Sequence, residues 1–340
     1  MKPRVAILGA TGAVGGTMVR VLEERAFPLR DLVLLSTQRS AGRQVAFRGA
    51  SLEVREAVPD AFRDVDVALF SAGADASREW APIARAHGAT VIDNSQAFRL
   101  DDDVPLVVPE VNPEALAGQR GLIANPNCST IQLVLALAPL HAAWGLERVI
   151  VSTYQSVSGT GVEALEELDA QVDADRAGRA AEARVYAHPI AFNVIPHVDD
   201  PLPDGSCREE MKLVWESRKI LGLPDLRVAA TTVRVPVRIA HAEAVGLEFA
   251  RHPDPDEARA ILARAPGVIV VDEPKRHRYP TPLMAAGRDE AFVGRIRRDP
   301  SHERGLLLFI ACDNLRKGAA LNAVQIAETL ARRAGVATPS

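Results

Sequence analysis

The chain has 340 residues, 47% of them hydrophobic and 25% charged, with a formal net charge of −4. That length predicts two domains, the composition is that of a folded globular chain, and the slight acidity argues against a nucleic-acid partner. The most apolar stretch, residues 131–144, is interrupted by Pro139 and His141 and falls short of a bilayer span, so no membrane association is expected.

At the N-terminus Met1-Lys2-Pro3-Arg4 has the charge of a leader, but the apolar run after it ends at Gly9, too early for a secretion signal. A cytoplasmic location is expected. Residues 4–8 read as a strand, 15–25 as a helix, 32–35 and 65–70 as strands, 78–87 as a helix and 90–92 as a strand. Residues 106–108 and 121–124 read as further short buried strands. This alternation predicts stacked βαβ units and a parallel sheet. From about residue 126 the pattern changes. A helix over 128–137 leads to a strand over 148–154, a Ser/Gly loop, and a solvated helix within 162–184 that frays at Gly178. Strand-like stretches at 229–237, 244–249, 268–271, 292–296 and 306–311 predict a mixed or antiparallel sheet. A last helix, 319–333, is expected to return to the first domain. Cys128, Cys207 and Cys312 are odd in number and far apart, which predicts free thiols in a reducing compartment and no metal site.

Two segments point to chemistry. Gly9-Ala10-Thr11-Gly12-Ala13-Val14-Gly15 follows a buried strand and opens a helix, where glycines let a pyrophosphate approach the free N–H groups of the helix start. At the end of the second strand an NAD site usually places an acid, but the chain reads Ser36-Thr37-Gln38-Arg39-Ser40. Hydroxyls and a guanidinium suit a 2′-phosphate, so NADP is the expected cofactor. In Asn125-Pro126-Asn127-Cys128-Ser129-Thr130 the strand breaks and a helix begins at Cys128. A helix N-terminus favours thiolate over thiol. Beside a nicotinamide, a thiolate can add to an aldehyde, giving a thiohemiacetal that loses hydride and leaves a thioester. Cys207 and Cys312 read as structural thiols.

These segments, with Tyr154 to Gly161, Phe192 to His197, Glu209-Glu210-Met211-Lys212, Arg234 to His241 and Asn314 to Ala320, resemble the aspartate-β-semialdehyde dehydrogenase family over nearly the whole chain. The resemblance implies an α/β fold: a Rossmann-like NADP-binding domain (1–125 plus about 315–340) and a second α/β, mixed-sheet, catalytic and dimerisation domain (126–314). It implies homodimers or tetramers, and reversible reductive dephosphorylation of L-aspartyl-4-phosphate to L-aspartate 4-semialdehyde, with release of phosphate, on the way to lysine, threonine and methionine. Residue by residue it makes Cys128 the nucleophile, His241 the general acid/base and Gln155 an orienting amide. Arg234 would clamp the substrate carboxylate, Glu209 hold its amino group, and Lys212, Arg99 and Asn127 contact phosphate. Cofactor contacts are implied at Gly9, Thr11, Gly12, Ala13, Val14, Gly15, Ser36, Thr37, Arg39, Ser40, Ser71, Gly73, Ser158, Gly159 and Asn322.

Arg234 and His241 would lie about 23 Å apart on opposite faces of a straight strand, so a bend is expected at Val235-Pro236-Val237. For several candidates a plain role competes: Glu209 and Lys212 suit an exposed i,i+3 helix pair, Arg99 a surface salt bridge, Asn322 an exposed helix position. Thr160 and Ala242 depart from the family pattern without removing a reactive group. The rival enzyme is N-acetyl-γ-glutamyl-phosphate reductase, whose acylated substrate has no use for the carboxylate of Glu209. A silent NADP-binding paralogue would lack Cys128 or His241, and both are present.

Overall fold

The computed structural model describes residues 2–338. Met1, Pro339 and Ser340, which the expected leader reading and domain bounds include, lie outside the described residues. The chain divides into two compact units, one taking the chain up to Asn127 and again from Ala319, the other spanning Cys128–Gly318.

The first unit runs β1 (Arg4–Leu8), α1 (Ala13–Glu24), β2 (Asp31–Ser36), β3 (Gln44–Phe47), β4 (Ala50–Glu56), β5 (Val67–Phe70), α2 (Ala74–Ala86), β6 (Thr90–Asp93) and β7 (Leu122–Ala124). Its seven strands are ordered β3-β4-β2-β1-β5-β6-β7, and every neighbouring pair but β3–β4 is parallel. β1, β2 and β5 are apolar nearly throughout because both faces are covered. Since β2 and β5 flank β1 on opposite sides, the loop after β1 opens at the switch point where such sheets bind ligands.

One expectation here needs correction, and one element is new. Residues 106–108 are buried but form only an isolated bridge, Leu106 to Ala124. Pro105 and Pro109 bracket the segment, and proline cannot donate to a ladder. The hairpin β3–β4 was not expected at all. Its strands are largely exposed and its turn is Arg48-Gly49, both at positive φ, in place of the usual Asn-Gly signal. Glu23 accepts the Arg48 N–H at 2.6 Å and the Phe27 carbonyl takes its guanidinium at 2.7 Å, which anchors the strained residue.

The second unit contains α3 (Cys128–Trp144), β8 (Leu146–Gln155), α4 (Val162–Arg176), α5 (Arg208–Leu221), β9 (Arg227–Arg234), β10 (His241–Phe249), α6 (Pro255–Arg264), β11 (Val268–Val270), α7 (Pro282–Ala285), β12 (Ala291–Arg298) and β13 (Gly305–Cys312). The mixed sheet is ordered β11-β12-β13-β10-β8-β9. α3 is apolar on nearly all sides, packing on the sheet and on α5 and α6, and it runs past the expected end at 137 through Pro139. Burial of the whole helix outweighs the one backbone bond that the proline removes. α5 and α6 escaped the sequence reading because polar side chains fill their outer faces.

The last helix, α8 (Leu321–Arg333), belongs to the first unit and packs on α1 through Leu321, Val324 and Ala327. Buried Glu328 takes both arms of Arg25 from α1, Nε at 2.7 Å and Nη2 at 2.9 Å. Glu328→Ala should therefore lower unfolding stability by about 2 kcal/mol, less than for a fully buried pair because Arg25 is partly exposed. A urea midpoint unchanged from the native chain would show that α8 docks by apolar contact alone.

Candidate active site

In the first unit, the glycine loop is fixed by close backbone packing. A Cβ on Gly9 would lie 2.3 Å from the Ser71 carbonyl oxygen, and one on Gly15 only 2.1 Å from that of Gly9. Gly9 and Ala10 donate to the Leu35 carbonyl and Ser71 donates to that of Leu8, so the loops after β1, β2 and β5 meet at one end of the sheet. Gly12 caps α1 without any side-chain bond, Ala13 and Val14 open the helix, and its first turn has no acid. These open N–H groups fit a pyrophosphate. Thr11 and Ser36 hydroxyls stand 3.4 Å apart, Thr37 and Arg39 are exposed, and Ser40 closes the short turn after β2. The sequence reading missed Glu56, the exposed register partner of Ser36 on β4, because nothing local links it to β2. Gly73, at φ 89°, caps α2.

Arg99 is buried and carries the carbonyls of Asn125, by Nε at 3.0 Å, and Asn94, by Nη2 at 2.9 Å. Asn127 is buried at the end of this unit's first segment. Asn322 is fully buried, not an exposed helix residue, and its amide donates to Val107 and to Asn125 Oδ1 at 2.7 Å. Its side-chain nitrogen braces the Asn125 turn.

In the second unit, register does the work. Gln155 on β8 pairs with Arg234 on β9, and His241 on β10 pairs with Cys312 on β13. β8 and β10 are antiparallel neighbours whose terminal register pair is Tyr154 with Ala242, so Gln155 and His241 come level one residue further on. Arg234, Gln155 and His241 thus form a row on the side of the sheet that α3 covers. β9 stops at Arg234, and the chain bends through Val235–Pro236–Val237 to Ala240, at φ 76°, before β10 starts at His241. Both side chains reach the same place: a Cβ on Gly159 would lie 3.1 Å from Arg234 Nη1 and 3.2 Å from His241 Nε2.

Cys128 is the first residue of α3 and the one cysteine of the three that is not buried. Ser129 beside it accepts from Gln155 Nε2 at 2.6 Å, and the same amide donates to Glu209 at 2.9 Å. Gly318 must be small here, since a Cβ would come within 3.0 Å of Cys128 Cβ. Glu209 and Lys212 do form an i,i+3 pair on α5, but both are shielded and not on an exposed face. Burial pulls against the Lys212 charge, yet Glu209 at 2.9 Å and Asp199 at 2.5 Å outweigh it and raise its pKa.

His241 is fully buried. Its Nδ1 accepts the Ser156 backbone N–H at 3.0 Å, which puts the proton of the neutral ring on Nε2. Burial, reinforced by the Arg234 charge, lowers its pKa to about 3. Arg234 gives Nη1 to the Ser156 carbonyl at 2.7 Å, while its buried Nε has no partner among the described residues. The edge formed by Nε and Nη2 is the one that grips a carboxylate bidentately. Ser158 is buried, with its hydroxyl bonded to Ser156 and Asn314. Thr160 receives the Tyr186 hydroxyl at 2.9 Å, which gives the larger residue at this position a structural use.

Comparison with known proteins gives the same answer over the whole chain. Residues 4–119 match the semialdehyde dehydrogenase NAD binding domain, and residues 137–317 the semialdehyde dehydrogenase dimerisation domain. The aspartate-semialdehyde dehydrogenase of Aquifex aeolicus is 51% identical over 97% of this chain and 98% of its own. The chain belongs to the aspartate-semialdehyde dehydrogenase family. The Legionella pneumophila relative is 54% identical over 96% of this chain and 95% of its own. The crystal structure of aspartate semialdehyde dehydrogenase II from Vibrio cholerae superposes with a TM-score of 0.95 at 47% identity, covering 98% of this chain and 99% of that one. This membership makes the chain an oxidoreductase with a nicotinamide-binding domain. No helix among the described residues is long and apolar enough to cross a membrane, and none of their side chains cluster as a metal site.

Two outcomes follow from the geometry. Gly159→Val should lower kcat/KM by about 10²-fold by crowding His241 and Arg234; unchanged kinetics would show that substrate enters elsewhere. His241 has a folded pKa below its unfolded one, so its contribution to stability is full above about pH 6.5 and is lost as pH falls towards 3. Urea midpoints measured down that range should fall less steeply in His241→Gln than in the native chain.

Proposed function

We propose that the chain catalyses the reversible NADP-dependent conversion of L-aspartate 4-semialdehyde and phosphate to L-aspartyl-4-phosphate through a thioester on Cys128. The observation that carries this reading is the row Arg234–Gln155–His241, tied through Ser129 to the accessible thiol at the start of α3. The Vibrio cholerae relative has also been solved as a complex with ASA.

Cys128 attacks as the thiolate, favoured by its place at a helix N-terminus. The aldehyde oxygen then carries the negative charge, and the Nε2–H of neutral His241 is the donor placed to hold it. A bound nicotinamide would supply the hydride acceptor that lets this oxygen re-form its double bond and leave a thioester on Cys128. A phosphate oxygen displaces Cys128 from the resulting thioester, the thiolate leaves, and the phosphate proton is released. This gives His241 the donor half of the acid/base role implied by resemblance; with Nδ1 fixed on an N–H, the neutral ring has no basic lone pair at Nε2. Arg234 holds the substrate carboxylate. Glu209 keeps a buried negative charge for the ammonium, a group the N-acetylated rival substrate lacks. Lys212 serves phosphate in the second unit, and Arg99 and Asn127 of the first keep the phosphate contacts that the resemblance implies.

For the cofactor, Ser36, Thr37, Arg39 and Ser40 supply donors for a 2′-phosphate, with Glu56 the acid paired across from Ser36. The Candida albicans family structure was solved with NADP and matches at a TM-score of 0.75 and 25% identity, covering 97% of this chain and 98% of that one. The unit also leaves an apolar sheet surface open: Ile150 and Tyr154 are exposed on the face away from α3, with Phe309 beside Tyr154. Burying such a surface against a second copy supports a homodimer.

Cys128→Ala should abolish phosphate-dependent reduction of NADP⁺ by aspartate semialdehyde, by about 10⁴-fold or more, with folding intact; retained turnover removes the nucleophile assignment. Arg39→Ala should weaken NADP binding by about tenfold and leave NAD nearly unaffected. A native enzyme that uses both cofactors equally would overturn the NADP reading.

A further inference from the structure

A second polar row lies directly beneath the reacting one. Two residues inward from Gln155 on β8 stands Thr153, two inward from His241 on β10 stands Glu243, and these two are register partners. One helical turn beyond Cys128, on the same face of α3, stands Gln132. All three are buried, Glu243 completely. Yet Glu243 Oε1 and Oε2, Gln132 Nε2 and Thr153 Oγ1 make no hydrogen bond of good geometry among the described residues, although the Gln132 amide lies near enough to Glu243 to favour its ionised form. Protein interiors match nearly all such atoms, and an ionised carboxylate is the costliest group to leave unmatched. The row is not uniformly slack: Thr232, the next residue across on β9, is met by Cys207 Sγ at 3.2 Å.

The groups around Glu243 do not neutralise a charge on it. From α3 it faces the amide of Gln132, which favours ionisation weakly, and from β8 it faces Thr153. β13 places Ile310 opposite it and the Cys312 thiol two residues on. That thiol is pushed up by burial and by Asp313, is drawn the other way by Lys317, and also feels Glu243 and Cys128. On its own strand, His241 is neutral. Burial is the dominant influence and raises the Glu243 carboxyl to about 8.

We propose that Glu243 is a positioning residue: a neutral carboxylic acid held one layer beneath Cys128 and His241, whose ionisation disfavours the thiolate above it. The link is like-charge repulsion across a dry interior, where two anions near one helix start oppose each other. The neutral acid is also the form that complements a primary amide, donating O–H and accepting N–H. The proposal rests on Cys128 being the reacting thiol. Failure of that reading appears as turnover by Cys128→Ala, whereas failure of this one leaves Cys128→Ala inactive.

The test is Glu243→Gln, which keeps the shape of the acid but cannot ionise. Its kcat/KM at pH 6.5–7 should stay within about threefold of native. Native kcat/KM should fall above about pH 8, and that of the variant should not. Iodoacetamide alkylation of Cys128, read by peptide mass, should keep rising with pH in the variant and level off near that pH in the native enzyme. Identical pH profiles in the two proteins, or a folded variant that is tenfold or more impaired at pH 7, overturn the proposal. If the variant does not fold, infrared spectroscopy of the native enzyme decides. A protonated carboxylic acid band should be present at pH 7 and disappear above about pH 8, and its absence at pH 7 overturns the proposal equally.

Discussion

The lateral register of β9, β8 and β10 is the constraint on which the catalytic unit depends. Shifting β8 by one residue would turn Thr153 and Gln155 to the open face and bring Ile150 and Tyr154 against α3. The buried residues Val149 and Val151, facing Leu247 and Val245 across the pair, make that slip costly. Packing with no chemical role therefore decides which side chains face α3. The same register repeats polar positions at two depths, so the reacting row comes with a second row beneath it.

The turn after β8 converts that alignment into a working geometry. Ser156 serves two neighbours with its two backbone groups, the N–H fixing the His241 tautomer and the carbonyl holding one arm of Arg234. Ala240, just before His241, sits at positive φ, a costly conformation for a residue with a side chain. Asn314 Oδ1 accepts its N–H and also the hydroxyls of Ser156 and Ser158. Strain at Ala240 is thus held by the same amide that orders the turn. Gly159 completes the arrangement by leaving open the space where His241 and Arg234 converge.

Much of this was legible in the sequence, and the limits were physical. The parallel strands of the first unit were readable because they are buried on both faces and punctuated by glycine. Cys128 was readable because a helix start has a local signature. The hairpin β3–β4 was not, since an exposed edge strand has little apolar periodicity and Arg48 conceals the turn. Glu56 and Glu243 gave no local sign either. Their significance lies in what stands across the sheet, and pairing between distant strands is not encoded within a short window. Lys212 and Glu209 were visible as a pair, but only the folded chain shows them shielded from water and joined to Gln155.

Burial alone does not separate the acids that build this protein from the one that regulates its chemistry. Glu167 is buried, but it accepts the N–H groups of Arg184 and Val185 and the amide of Gln171. Asp313 is buried and accepts three backbone N–H groups, from Leu315, Arg316 and Gly287. Donors in that number match the oxygens of these acids and tie the neighbouring loops down. Glu243 lies deeper and has no such donors. The same accounting applies to cations and amides: the unmatched polar atoms of Arg234 and Gln155 fall in the reacting row, and those of Gln132, Thr153 and Glu243 directly below it. Among the buried acids, it is Glu243 whose carboxylate oxygens are left unmatched, and it lies in the layer under the proposed reacting row.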